Sequence, residues 1–446
     1  MAIRKIISFL IIVLLVFFDQ NFSFSKQGTT KLSFDNSIEA VSLRISNKLS
    51  NSKETKRADR LINRFLRKWE LAGASVAIVK DGDLVFAKGY GYTNLEQKQR
   101  IEPSNLFRVA SVSKLITATA IMKLQEENKL QISDYVFGEH GILNDSIYSH
   151  IRDKRAKRIT IEELLRHTAG FTSKYGDPMF LPLAIAKKMN VEPPISAETT
   201  IQFALSRRLH FRPGSRGSYS NLGYVILEKV IEKVTGKDYE KFVQKNILNP
   251  AGIFDMHLGK NLREEKFPNE VNYYEQSNAI KISAFDGSGR TVFRSNGGNN
   301  IEELGGAGGW IASPAELVKF MLAIDGDESH PDILSKASIV YMTTPSKRGF
   351  SPIGWKGTRS NGTWWRTGTL AGSSALLKHQ TNGYGYAIIT NTSTWRGPEF
   401  THELSILMSR VLRSVKKWPA QDLFNHFEAR QERMALDKLP KFQDWS

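Results

Sequence analysis

"RVASVSKLITATAIMKLQEE", residues 108–127, joins an apolar, helix-forming run to Ser111 and, three residues later, Lys114. Residues three apart on a helix share a face with Cβ atoms about 5–6 Å apart, so the Lys114 ammonium reaches the Ser111 hydroxyl. A serine hydroxyl is a weak nucleophile until a neighbouring base takes its proton, and a lysine desolvated in a packed site has its pKa lowered toward that task. Free amides and the positive dipole end at a helix start also stabilise an oxyanion. Ser-x-x-Lys begins at Ser23, Ser50 and Ser414 as well, but only Ser111 combines a helix start with an apolar following face.

Two distant segments supply complementary chemistry. "FRPGSRGSYSNLGYVILEKVIEKVTGKDY", residues 211–239, sets Tyr219 and Asn221 just ahead of a hydrophobic helix. A phenol beside an ammonium is depressed toward the phenolate and relays a proton, and an asparagine holds the lysine or a substrate amide by hydrogen bonds. "RTGTLAGSSALL", residues 366–377, places Arg366, Thr367 and Gly368 at a strand. Glycine lets a substrate approach the backbone, and the Thr369 amide is expected as a second oxyanion donor beside that of Ser111. His167, at the end of "EELLRHTAG", reads as a structural hydrogen-bonding residue at a helix terminus and not as a triad base.

Around these segments the chain alternates recognisable elements. "RADRLINRFLRKWE" at 57–70 carries Leu61, Ile62, Phe65 and Leu66 on one stripe, an amphipathic helix. "ASVAIVKDGDLVFAKGYGYTN" at 74–94 reads as strand, Asp-Gly turn, strand. From about 130 to 300 helices and loops dominate, with "TIEELLRHTAGF" expected to stop at Gly170. A glycine-rich turn near 305–309 feeds a helix capped by Ser313 with Pro314 at its first position. Strands return in "TWWRTGT", "SSALLKHQ" and "YGYAIITNTS", and "ELSILMSRVLRSV" closes the pattern as a helix. Strands from both ends then share one sheet. The expected fold is α+β, an antiparallel β-sheet flanked by helices, with an inserted mostly helical region that caps a cleft. Trp310, Trp364 and Trp365, near glycine turns, read as core.

Composition narrows the function. The 446 residues are 41% hydrophobic and 24% charged, enough for a large core. The absence of cysteine excludes disulfides, a thiolate nucleophile and Cys-ligated metal. None of the nine histidines forms an H-E-x-x-H pair, which disfavours a metal enzyme, and the Ser111 chemistry implies no cofactor. Arg4 and Lys5 precede an apolar run from Ile6 to Phe18, the pattern of a secretory signal peptide over 1–25. Residues 26–56 read as a polar linker, 57–415 as the domain and 416–446 as a charged tail. The protein is expected to be exported, periplasmic or secreted, touching membrane only through the N-terminal segment where that stays uncleaved. The formal charge of +17 favours anionic material such as acidic cell wall. Its densest run, "RDKRAKR" at 152–158, lacks interleaved aromatics and reads as a solvated face, so no nucleic-acid partner is expected.

Together the Ser111–Lys114, Tyr219–Asn221 and Arg366–Thr367–Gly368 elements, with "TIEELLRHTAGF", "VTGKDYEKFVQKNILNPAGI" and "GGAGGWIASPAELVKFM", resemble the serine β-lactamase and penicillin-binding-protein superfamily. The nearest branch is the class C-like one that includes D-amino peptidases and esterases, and the resemblance spans about residues 57–412. It implies a β-lactamase/transpeptidase-like fold, Ser111 as acylated nucleophile, Lys114 as its base partner, Tyr219 as proton relay and Asn221 as a polar positioning group. Thr367 and Gly368 match the third motif, which usually begins with lysine or histidine. Here Arg366 stands first, keeping a permanent charge suited to an anionic substrate while losing proton exchange. The implied activity is an exported serine hydrolase cleaving an amide, ester or lactam carbonyl of a small-molecule or peptide-like substrate. A cell-wall D,D-carboxypeptidase or transpeptidase, and a non-catalytic binder of anionic envelope polymers, are the alternatives. Specificity is expected in the loop at 172–196.

Overall fold

The computed structural model describes residues 45–346 and 348–425. The expected signal peptide, most of the expected linker and the end of the tail lie outside them. Seven strands form the main sheet: β1 (Gly73–Lys80), β2 (Asp83–Asn94), β3 (Gln99–Arg100), β4 (Gly357–Thr358), β5 (Trp364–Leu370), β6 (Ser373–His379) and β7 (Tyr384–Thr390). Their order is β3-β2-β1-β7-β6-β5-β4, and every pair is antiparallel. The α+β expectation holds: β1 pairs with β7 through Ala77 and Ala387, closing the two ends of the described chain into one sheet.

Helices cover both faces. On one side α1 (Lys56–Lys68) and the final helix (Phe400–Ser414) bury Ile62, Leu66, Leu404 and Met408 against Val76 and Ile78. On the other, the helix Pro314–Leu322 packs across β1 and β7 over the face carrying Ala77 and Val79, and α2 (Ser113–Glu126) packs with α3 (Asn221–Thr235) in the same apolar cluster. Alternate residues of β1 thus enter different apolar layers, so the strand is buried on both faces and shows little polar alternation. α2 is buried on nearly every side: Leu115, Ile116, Ala118, Ile121, Met122 and Leu124 pack between layers, and Lys114, Thr117 and Thr119 are buried with them. The β1–β2 turn uses Asp81 and Gly82, both at positive φ, as the Asp-Gly pair predicts.

Two boundaries differ from expectation. Packed structure extends beyond 57 and 415: the Ser50 hydroxyl bonds to both backbone groups of Ala87, and Asn47 accepts the Gly89 amide. At the other end, Asp422 accepts the Leu84 amide and the Leu423 amide donates to the Leu84 carbonyl. β3 pairs with β2 only at Tyr92 and Asn94, so polar flanking segments cover the remaining edge of β2. The helix expected to stop at Gly170 spans only Ile161–Leu165, with a capping box at Thr160 and Glu163. His167 takes positive φ (61°) and ends the helical path three residues earlier than Gly170. Ser313 does cap the helix Pro314–Leu322, accepting the Glu316 amide at 3.2 Å.

Candidate active site

Ser111 sits in a single 3-10 turn, Ala110–Val112, that leads directly into α2. Ala110, immediately before it, is held at φ 51°, a region that L-residues seldom adopt and that the surrounding packing must enforce. That packing includes β5. β4 pairs with β5 only at Trp364 and Trp365, which leaves the edge from Arg366 onward without a strand partner. The Ser111 turn lies along this edge. A Cβ built on Gly368 would stand 2.2 Å from the Val109 carbonyl oxygen and 2.9 Å from the Ser111 nitrogen, so only glycine permits the approach.

Two groups, Tyr219 and Lys114, meet the Ser111 hydroxyl, and Asn221 and Arg366 brace them, the four coming from three parts of the chain. The Tyr219 hydroxyl is 2.6 Å from Ser111 Oγ and the Lys114 ammonium 3.4 Å. Lys114 is completely buried and donates to Asn221 Oδ1 at 2.6 Å and to the Ala307 carbonyl. Arg366 donates through Nε to the Ser111 carbonyl at 2.7 Å and through Nη2 to the Tyr219 hydroxyl at 3.2 Å. The guanidinium expected to greet a substrate carboxylate therefore spends two of its N–H groups on the protein, while still lining the cleft.

The elements that carry these groups explain their placement. Ser220 caps α3 by accepting the Gly223 amide, which puts Tyr219 just outside the helix and Asn221 on its first turn. α3 packs beside α2, so both side chains reach Lys114. Ala307 belongs to a one-turn glycine helix, Gly305–Gly308, lodged against α2 and α3. Glu228, two turns along α3, accepts the Gly306 amide at 2.7 Å and anchors that turn.

Electrostatics follow from burial and from the paired cations. Burial pushes the Lys114 pKa below the ordinary lysine value, Arg366 adds to the shift, and Tyr219 and Asp177 oppose it. Burial alone would raise the Tyr219 phenol, but the charges of Lys114 and Arg366 and the hydrogen bond to Ser111 bring it down to about 8. The Tyr219 residue as a whole is 42% exposed, yet its hydroxyl is ringed by Ser111, Lys114 and Arg366. That local setting governs its ionisation. His167 is buried and accepts the Ser220 amide on Nδ1 at 3.3 Å. Burial, together with Arg366 and Lys114, holds its pKa well below the usual histidine value. Its ring lies 4.5 Å from the Tyr219 ring, so it props the phenol as a neutral spacer.

The cleft has a volume of about 490 Å³ and is lined by Ser111, Tyr219, Asn221, Arg366, Thr367 and Thr369 among others. Gly368 and Lys114 lie behind its wall. Sequence reasoning missed Asp177, which accepts Asn221 Nδ2 at 2.7 Å and so fixes which way the amide faces Lys114. It also missed the Ala307 carbonyl and Trp355, which lines the cleft. Trp310 is core as expected, its indole donating to the Tyr239 hydroxyl at 3.0 Å. Among the described residues, Asp325, His330 and Asp332 bring ligand-type atoms within 4.8 Å of one another. They belong to no part of the cleft.

The Beta-lactamase family model matches residues 58–407. Protein flp of Staphylococcus aureus (strain N315) is 24% identical over 363 residues, a match covering 78% of this chain and 65% of that protein. The chain thus spans less than two-thirds of that relative's length. The structure of the octameric penicillin-binding protein homologue from Pyrococcus abyssi shares 26% identity at a TM-score of 0.59, covering 84% of this chain and 80% of that one. D-amino acid amidase from Ochrobactrum anthropi SV3, complexed with L-phenylalanine amide, has the same fold at 20% identity and a TM-score of 0.63, covering 82% and 99% of the two chains. Among the described residues no helix is long and apolar enough to cross a membrane.

Proposed function

The chain belongs to the Beta-lactamase family, and on that premise we propose that it is an exported serine hydrolase acting on an amide, ester or lactam carbonyl through an acyl-Ser111 intermediate. The observation that carries this reading is the 2.6 Å contact between the Tyr219 hydroxyl and Ser111 Oγ, made beside a buried ammonium. Tyr219, as phenolate, takes the Ser111 proton while Oγ bonds to the carbonyl carbon. Negative charge moves to the carbonyl oxygen, where the amides of Ser111 and Thr369 face it. Collapse breaks the bond to the leaving amine or alcohol, which receives the proton held by Tyr219. Water then adds to the acyl ester by the same route and frees Ser111. Lys114 stays charged through these steps and keeps the phenol acidic, and Asn221 and Ala307 hold it in place.

Export rests on the apolar N-terminal run with its basic front, as read in the sequence. Recognition of an anionic acyl compound rests on the permanent charge of Arg366, which lines the cleft although it is only 2% exposed.

The test uses purified protein with a fluorescent penicillin, a fluorophosphonate and p-nitrophenyl esters. Labelling or turnover in the wild type, abolished in Ser111→Ala, is the expected result. Absence of any reaction in the wild type, or equal reaction in Ser111→Ala, overturns the proposal in favour of a non-catalytic binder.

A further inference from the structure

A second cavity of about 460 Å³ adjoins the cleft, and Ser173 and Asp177 line both. One loop makes the partition. Its Ser173, Asp177 and Phe180 side chains border the cleft, while Tyr175, Pro178 and Leu181 border the second cavity. Phe171, Leu209 and Leu222 form a buried apolar floor, and Tyr175 and Leu181 stand at the mouth 71% and 40% exposed. Exposed apolar groups above an apolar floor are costly in water and are covered when a ligand's apolar group enters.

Charge surrounds this apolar space. Arg152, Lys188, Arg207 and Arg208 all line it, although they come from three separate stretches of sequence. Hydrogen bonds join two of those stretches, the Arg152 amide donating to the Leu205 carbonyl at 3.0 Å and the Leu209 amide to the Asp153 carboxylate at 3.0 Å, while Lys188 arrives on the helix Pro182–Met189, which packs on the helix Ala197–Leu205. Arg155 adds a bond from Nη2 to the Leu209 carbonyl. Asp153 and Arg155 neutralise each other, but among the described residues none of the four lining cations forms an ion pair. Arg207 and Lys188 instead lean over the Phe203 ring, at 4.9 and 6.0 Å from its centroid. Asp177, the one carboxylate of the lining, is occupied by the Asn221 amide and the Met179 backbone N–H.

We infer that this cavity is a second binding site, for a single amphipathic anion: an alkyl or aryl group carrying a phosphate or carboxylate. The apolar group lies on the Phe171–Leu209–Leu222 floor and the anion meets the Arg207–Arg208 rim. Neither half of that chemistry suffices, since the floor is blind to charge and the exposed rim is screened at physiological salt. The enclosed volume takes one chain and not a bilayer surface.

Calorimetric titration at about 0.15 M salt tests this with octyl phosphate, inorganic phosphate and octyl glucoside. Wild type and Ser111→Ala are both expected to bind one equivalent of octyl phosphate, so the result does not depend on catalysis. Inorganic phosphate and octyl glucoside are each expected to bind at least roughly tenfold more weakly. The Arg207→Gln/Arg208→Gln variant is expected to lose at least about tenfold, while Lys154→Gln/Arg158→Gln, in the neighbouring basic hollow, binds as wild type. Any of four results overturns the inference: no saturable binding, equal binding by inorganic phosphate, an unaffected Arg207→Gln/Arg208→Gln variant, or the same loss in Lys154→Gln/Arg158→Gln. Pelleting with phosphatidylglycerol vesicles without octyl phosphate binding also overturns it, by making the rim a membrane-facing patch.

Discussion

The Tyr219 hydroxyl lies 2.6 Å from Ser111 Oγ, nearer than the Lys114 ammonium at 3.4 Å. Two candidate bases thus share one nucleophile, and distance together with charge assigns them different work. Lys114 already donates to Asn221 and to the Ala307 carbonyl, contacts that suit an ammonium and would lose their strength in a neutral amine. Tyr219 is engaged by Ser111 and by the cations Lys114 and Arg366, both of which favour its phenolate. Tyr219→Phe keeps the ring against His167 and removes only the hydroxyl, so acylation by a p-nitrophenyl ester is expected to fall about 10²–10⁴-fold while the fold is kept. A rate within twofold of wild type in stopped-flow acylation assigns the proton to Lys114 instead.

The pH profile carries the same assignment. Tyr219 ionises at about 8, and the phenolate is the working form, so kcat/KM is expected to rise with pH and level off above 8. Arg366 is one of the two positive charges that bring the phenol down. Arg366→Gln removes it and moves the rising limb to higher pH, while Tyr219→Phe abolishes that limb. A profile in Arg366→Gln that superimposes on wild type contradicts the electrostatic role.

Gly368 explains why the third motif cannot tolerate a side chain. An added Cβ would meet the Val109 carbonyl at 2.2 Å and the Ser111 amide at 2.9 Å, contacts with backbone that no rotamer change relieves. Gly368→Ala is expected to push β5 away from the nucleophile turn, cost about 1–3 kcal/mol by thermal melting, and abolish fluorophosphonate labelling. Wild-type labelling in this variant means that the turn and the strand separate without consequence.

The nucleophile was readable because Ser111 and Lys114 are close in sequence, at the start of an apolar run that has to be a core helix. Tyr219 and Asn221 followed because a capped helix begins beside them. Asp177 gave no such signal: it sits in a loop as an ordinary Asp-Pro turn, and its link to Lys114 passes through Asn221, whose partner is decided by the packing of three segments. The Ala307 carbonyl was invisible in principle, since backbone acceptors carry no residue identity. Ser50 and Asp422 misled for a different reason. Polar stretches resemble linkers until an uncovered strand edge, here that of β2, demands partners for its amides. The four cations around the second cavity are likewise scattered in sequence: the bonds joining residues 152–155 to 205–209 bring Arg152 to Arg207 and Arg208, and Lys188 arrives on a separate helix.

Glu228 ties stability to pH through the same site. Its carboxyl is buried on α3, bonds the Gly306 amide and is raised to about 8 by burial. A side chain at Gly305 would collide with it, since a Cβ there falls 2.6 Å from its carboxyl carbon. Below pH 4.5 the carboxyl is protonated in folded and unfolded chains alike, so its contribution is fully present. Between 4.5 and about 8 the unfolded chain releases a proton that the folded one keeps, and stability falls as pH rises, with a limiting slope of about 1.4 kcal/mol per pH unit for one such group. Glu228→Gln keeps an acceptor for Gly306 and removes the titration. The variant is therefore expected to gain on wild type steadily from pH 5 to pH 8 in urea-unfolding midpoints, with esterase activity at pH 7 kept because Ala307 stays in place. A stability difference that is flat across that range means Glu228 is ionised in the folded protein, in which case Lys229, 3.9 Å away, balances its charge.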